Sequence, residues 1–81
     1  MRYTDIMEKV LSVDYSCPKS RETIRRILNQ TKRMRFISDD IKVNYVRNRL
    51  ADCKAYSLGI SSEMSDDFAK AIEAMNKEEE K

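Results

Sequence analysis

Eighty-one residues with one Gly, one Pro and 37% charged side chains limit the chain to one small domain and favour helices over a turn-rich β fold. No apolar run approaches membrane-spanning length, so no membrane partner is expected. The formal net charge of +2 hides three blocks: residues 1–18 carry two basic and three acidic groups (net −1), residues 19–54 eleven and four (+7), and residues 55–81 three and seven (−4).

The opening stretch MRYTDIMEKV places Asp5 and Glu8 where a secretory signal needs an unbroken apolar run, and it is too acidic for a transit peptide. Tyr3, Ile6, Met7, Val10 and Val13 recur every three or four residues and predict a first helix over about 3–13. The connector DYSCPK follows, in which Pro18 fits a loop or a first helical turn. A second helix is predicted over about 19–35, with Ile24, Ile27, Leu28, Thr31 and Met34 turned inward. Ser38 is the expected N-cap of a third helix over about 39–57, where Asp39 and Asp40 suit the positive end of the helix dipole. Gly59 is the expected left-handed C′ residue, with Ile60 folding back on the last turn. A fourth helix over about 62–78 has Ser62 or Ser65 as cap and Met64, Phe68, Ala71, Ile72 and Met75 as its stripe. The expectation is an all-α bundle of four short antiparallel helices over residues 1–76, with residues 77–81 a frayed charged tail.

The third helix differs from the others. Val43, Val46, Leu50 and Cys53 form one stripe, while Ile41, Tyr45, Ala55 and Tyr56 fall on the opposite side. The second stripe is expected to be sandwiched between neighbouring helices. The alternatives are an aromatic and cationic face of Tyr45, Arg49 and Tyr56 offered to a partner, or a homodimer that covers it.

Catalysis is not expected, and neither is a cofactor or a metal. The chain has no His, the commonest general base and metal ligand. Cys17 and Cys53 lack the near companions that a metal motif needs, and two cysteines suit a reducing, cytoplasmic compartment better than a disulfide framework. Adjacent carboxylates diverge by about 100° on a helix, so Asp39–Asp40 and Asp66–Asp67 are assigned to helix openings rather than to acid–base work. A single Gly excludes glycine-rich phosphate loops.

The stretch SRETIRRILNQTKRMRF, residues 20–36, is the most unusual part of the sequence. On a helical wheel Arg21, Arg25, Arg26, Asn29, Lys32 and Arg33 share an arc of about 140°, with only Glu22 to break the charge. Solvated helices ordinarily mix signs through acid–base pairs four residues apart. SRETIRRIL resembles the recognition helices of helix-turn-helix DNA-binding proteins, whose Ser-x-x-Thr-hydrophobic-Arg-Arg pattern opens the helix that enters the major groove. That resemblance implies Ser20, Arg21, Thr23, Arg25 and Arg26 facing bases and phosphates, and DIMEKVL as the preceding helix. The longer, glycine-free LSVDYSCPK replaces the family's short turn.

Two functional readings follow. The first is a small non-enzymatic regulatory protein that binds DNA or RNA through Arg21, Arg25, Arg26, Lys32, Arg33 and Arg35, with Lys42, Arg47 and Arg49 as auxiliaries. The second is a protein-binding adaptor or stoichiometric inhibitor, of a size that phages and plasmids encode. It would dock its basic face on an acidic partner, with Tyr45, Tyr56, Met34 and Phe36 as anchors. A chemically silent alternative has the acidic fourth helix balance the basic face within the fold, and the acidic tail is a candidate shield for that face.

Overall fold

The computed structural model of the protein describes residues 2–56 and 60–79, apart from the side chains of residues 55, 56, 78 and 79. Four helices follow in chain order: α1 Tyr3–Leu11, α2 Pro18–Lys32, α3 Asp39–Tyr56 and α4 Ser62–Glu79. Every pair of helices is in contact, α3 and α4 most extensively, and no strand occurs among the described residues. The expected all-α bundle of four helices is the fold.

The stripes predicted from spacing make the core, except for Val13 and Met34, which lie past the ends of α1 and α2 and outside the core cluster. Tyr3, Ile6 and Val10 of α1 meet Ile24, Ile27 and Leu28 of α2, Val43, Val46 and Leu50 of α3, and Phe68, Ala71 and Met75 of α4. Met7, Cys53, Met64 and Ile72 pack half-buried at the edges, joined by Leu11, Tyr15 and Ile60. Each fully buried Leu, Ile or Phe contributes about 1.5–3 kcal/mol over its exposed state, so these helices hold one another rather than standing alone. Thr31 joins the core because its hydroxyl donates to the Ile27 carbonyl at 2.7 Å, which satisfies the polar group within its own helix.

The helix ends differ from expectation in instructive ways. Pro18 occupies the first turn of α2, where its missing N–H costs nothing. Ser38 caps α3 as expected, accepting the Ile41 N–H at 3.4 Å. The cap of α4 is Ser61, not Ser62 or Ser65; its hydroxyl accepts the Met64 N–H at 3.2 Å. α1 stops at Leu11, where Ser12 turns its N–H and hydroxyl back on the carbonyls of the last turn. α2 stops at Lys32, three residues before the predicted end, because Arg33 and Met34 bond back only three residues, to Gln30 and Thr31. Arg33, Met34 and Arg35 therefore belong to the α2–α3 connector. Gly59 lies outside the described residues. α4 runs through Glu79, past the boundary at residue 77 set from the sequence for the tail, and Lys77 pairs there with Glu73 at 3.4 Å.

Neither α1 nor α2 carries a side-chain cap of its own. Carboxylates from other helices stand in. Asp39 at the start of α3 accepts the Tyr3 N–H, an orphan donor of the first turn of α1, at 2.8 Å. Asp67 of α4 is fully buried and accepts the Ser16 and Cys17 N–H groups just ahead of α2, both at 2.9 Å. The assignment of Asp67 to an opening of α4 is thereby corrected. Its carboxylate points into the protein and fastens the α1–α2 connector.

Two phenols add further ties. The Tyr3 hydroxyl donates to the Leu28 carbonyl at 2.7 Å and the Tyr15 hydroxyl donates to the Val10 carbonyl. Burial pushes the Tyr3 phenol up to about 12, partly offset by the Thr31 hydroxyl. Burial and the Asp67 charge push Tyr15 to about 12 as well, against the pull of Arg21. Both phenols are harder to ionise folded than unfolded, so their contribution is complete below pH 10 and lost as the pH rises toward 12. A phenolate absorbance titration is expected to show two late-ionising tyrosines, with loss of helix signal in the same alkaline range. Tyr3→Phe should remove one late phenol and cost about 1 kcal/mol of stability.

Candidate nucleic-acid interface

The burial of Ile24, Ile27, Leu28 and Thr31 fixes the rotation of α2 and turns the opposite side to solvent. Arg21, Arg25, Arg26, Asn29, Lys32 and Arg33 are all exposed there, and Arg35 continues the run in the connector. Arg21 donates to the Val13 carbonyl at 3.3 Å, and Arg26 meets Glu22 one turn away at 3.5 Å, with both side chains well exposed. Arg25, Lys32, Arg33 and Arg35 have no ion pair among the described residues. Two shallow recesses lie along this surface. Arg25, Arg26 and Arg33 border the first, and Asn29, Lys32, Arg33 and Arg35 border the second.

The acids of α4 do not neutralise this face among the described residues. Asp67 faces Lys70 at 3.8 Å and Glu73 faces Lys77, both within α4. The helix-turn-helix correspondence fails at its first position: Ser20 is fully buried and cannot face a base, and Thr23 is half-buried. What α2 presents outward is its arginines, a surface suited to phosphates more than to base edges.

The expected sandwich of the second α3 stripe does not form at its described positions. Ile41 is 60% exposed, Tyr45 is 37% exposed and Arg49 is open to solvent, while the side chain of Tyr56 lies outside the described residues. Lys42 and Arg47 each make a contact within the fold. The Lys42 ammonium sits 5.5 Å from the centre of the Tyr3 ring, and Arg47 donates to Asn44 and Asn76.

Phe36, between Arg35 and Ile37, stands out among the described residues. Its side chain is as exposed as in an isolated peptide, at 103%, and its φ is 63°, in the left-handed region. A non-glycine residue there costs about 1–2 kcal/mol, and no packing contact offsets it. Phe36→Gly is therefore expected to stabilise the fold by up to about 1 kcal/mol, read as a higher denaturant midpoint with unchanged slope.

Cys17 and Cys53 are free thiols, and no group of three His, Cys, Asp or Glu among the described residues is placed to hold a metal ion. No described helix is long and apolar enough to cross a membrane. Comparison with protein-family models, curated proteins and solved structures finds no match for this chain.

Proposed function

We propose that the protein is a small non-enzymatic regulator that binds nucleic acid through the outer face of α2 and the connector after it. One observation carries the reading: cations are concentrated on a single exposed arc, and Arg25, Lys32, Arg33 and Arg35 have no acidic partner among the described residues. Like charges held on one helix face repel, and a polyanion relieves that repulsion while releasing its own counterions. Arg21, Arg25, Arg26, Lys32, Arg33 and Arg35 neutralise phosphates in this reading. Arg49 lies outside that arc, on the exposed face of α3 beside Tyr45.

The test is a fluorescence-anisotropy titration against short DNA and RNA at several salt concentrations. Neutralising four to six phosphates gives a log–log salt slope of roughly −3 to −5. Absence of binding even at low salt removes the reading. A second reading, an adaptor or inhibitor that docks on an acidic protein, is favoured by the exposed Phe36, Ile37, Ile41 and Tyr45 beside the cations. A pull-down followed by a defined heterocomplex would carry it. The two free cysteines fit a reducing, cytoplasmic setting for either.

A further inference from the structure

The α2–α3 connector puts two chemistries side by side. Lys32, Arg33 and Arg35 line a shallow recess, and Phe36 follows Arg35 directly in the chain with its ring wholly in solvent. Three peptide links separate Phe36 from Arg33, so their Cα atoms lie within about 11 Å. Ile37 continues the apolar row into α3, where Ile41 and then Tyr45 stand one helical turn apart.

We infer that this connector makes the nucleic-acid face selective for single strands, with Phe36 as the residue on which an unpaired base stacks while Arg33 and Arg35 hold the flanking phosphates. The inference rests on the nucleic-acid reading and sharpens it. A duplex keeps its base faces stacked on one another and exposes one to a projecting phenyl ring only after a base step is unstacked, which costs free energy. A single strand offers base faces and phosphates together, which is the pairing of groups present here. Phe36 sits in left-handed backbone, which carries an energetic cost, and its ring lies outside the core and is otherwise idle in the fold. A protein partner fits the surface less well. The exposed apolar residues form a short single row, Phe36, Ile37, Ile41 and Tyr45, whereas the centre of a protein interface is a broad patch.

The experiment measures anisotropy of labelled single strands of thymidine and of mixed sequence, and of a duplex of equal length, at matched salt. The proteins are wild type, Phe36→Ala, Phe36→Gly and Phe36→Trp. Wild type is expected to bind single strands more tightly than the duplex. Phe36→Ala and Phe36→Gly should each weaken single-strand binding by about tenfold, keep the salt slope and leave duplex binding unchanged, while Phe36→Trp retains wild-type affinity. The Phe36 ring packs against nothing, so these variants fold; circular dichroism checks it. Equal binding of both forms, or Phe36→Ala losing nothing or losing equally on both, overturns the stacking role while the salt-dependent nucleic-acid reading stands. No binding of either form overturns both.

Discussion

Asp67→Asn is expected to lower the stability of this protein by about 3 kcal/mol and its melting temperature by roughly 10–25 °C. The wild-type carboxylate is fully buried and satisfies two backbone N–H groups, those of Ser16 and Cys17, at 2.9 Å each. An amide retains one acceptor oxygen and turns an NH₂ toward the other donor, so one part-buried N–H loses its partner and meets another donor. Asp67→Ala abandons both donors and should cost at least as much. A domain of this size is stable by only about 4–12 kcal/mol, so either change consumes a large fraction of it. Lys70→Met, by contrast, should cost little, because its ammonium is half-exposed and 3.8 Å away.

The same group is expected to contribute to the acid sensitivity of the fold. Burial alone raises the Asp67 carboxyl. The Ser16 and Cys17 amides, the nearby Ser20 hydroxyl and Lys70 outweigh that and hold it below its ordinary 3.8. The Ser20 oxygen itself falls outside hydrogen-bond geometry, so the two amides carry most of the effect. A folded-state pKa below the unfolded one means that the unfolded chain binds the proton first. The stabilisation is complete above pH 3.8 and is lost as the pH falls through the lower folded value. Chemical denaturation between pH 2 and 6 should show this loss in wild type and a flatter profile in Asp67→Asn. Equal acid sensitivity in both proteins would remove Asp67 from that role.

What the sequence displayed and what it concealed divide along a physical line. The core stripes were legible because burial of Ile24, Leu28, Val46, Leu50 and Phe68 follows from a period of 3.6 alone. The outward arc of α2 was legible for the same reason, since fixing the apolar side fixes the other. Contacts between distant elements were not. Asp67 stands one turn before Ala71 at the edge of the α4 stripe, and that position was the available signal of its burial. Its partners are about fifty residues away in sequence, and no periodicity announces them. Asp39 was placed correctly at the opening of α3, yet the N–H it accepts belongs to α1. The second stripe of α3 had the composition of a buried surface, but among the described residues no further element covers Ile41 and Tyr45. Phe36 could not be foreseen at positive φ because the connector lacks the glycine that usually marks such a position.

The paired reversal Arg25→Glu with Arg33→Glu is the strongest expected effect on function. Arg25 and Arg33 are better targets than Arg26, whose charge is already partly answered by Glu22. Arg25 is exposed on α2 and Arg33 directly after its last turn, and Arg33 borders both recesses. Losing two phosphate contacts should reduce the salt slope by about 1.4 on single strands or 1.8 on B-form duplex. Added repulsion from the two new acids should weaken binding by roughly 100-fold at moderate salt. The reversals also relieve repulsion along the arc, so the melting temperature should hold or rise slightly, which separates lost binding from lost folding. Lys9→Glu with Lys77→Glu changes the net charge by the same amount on α1 and α4 and serves as the control. If the control loses as much affinity as the pair on α2, the protein is responding to net charge alone, and the arc is only a solvated surface. If it retains wild-type affinity while the α2 pair does not, the binding energy resides in where these arginines stand.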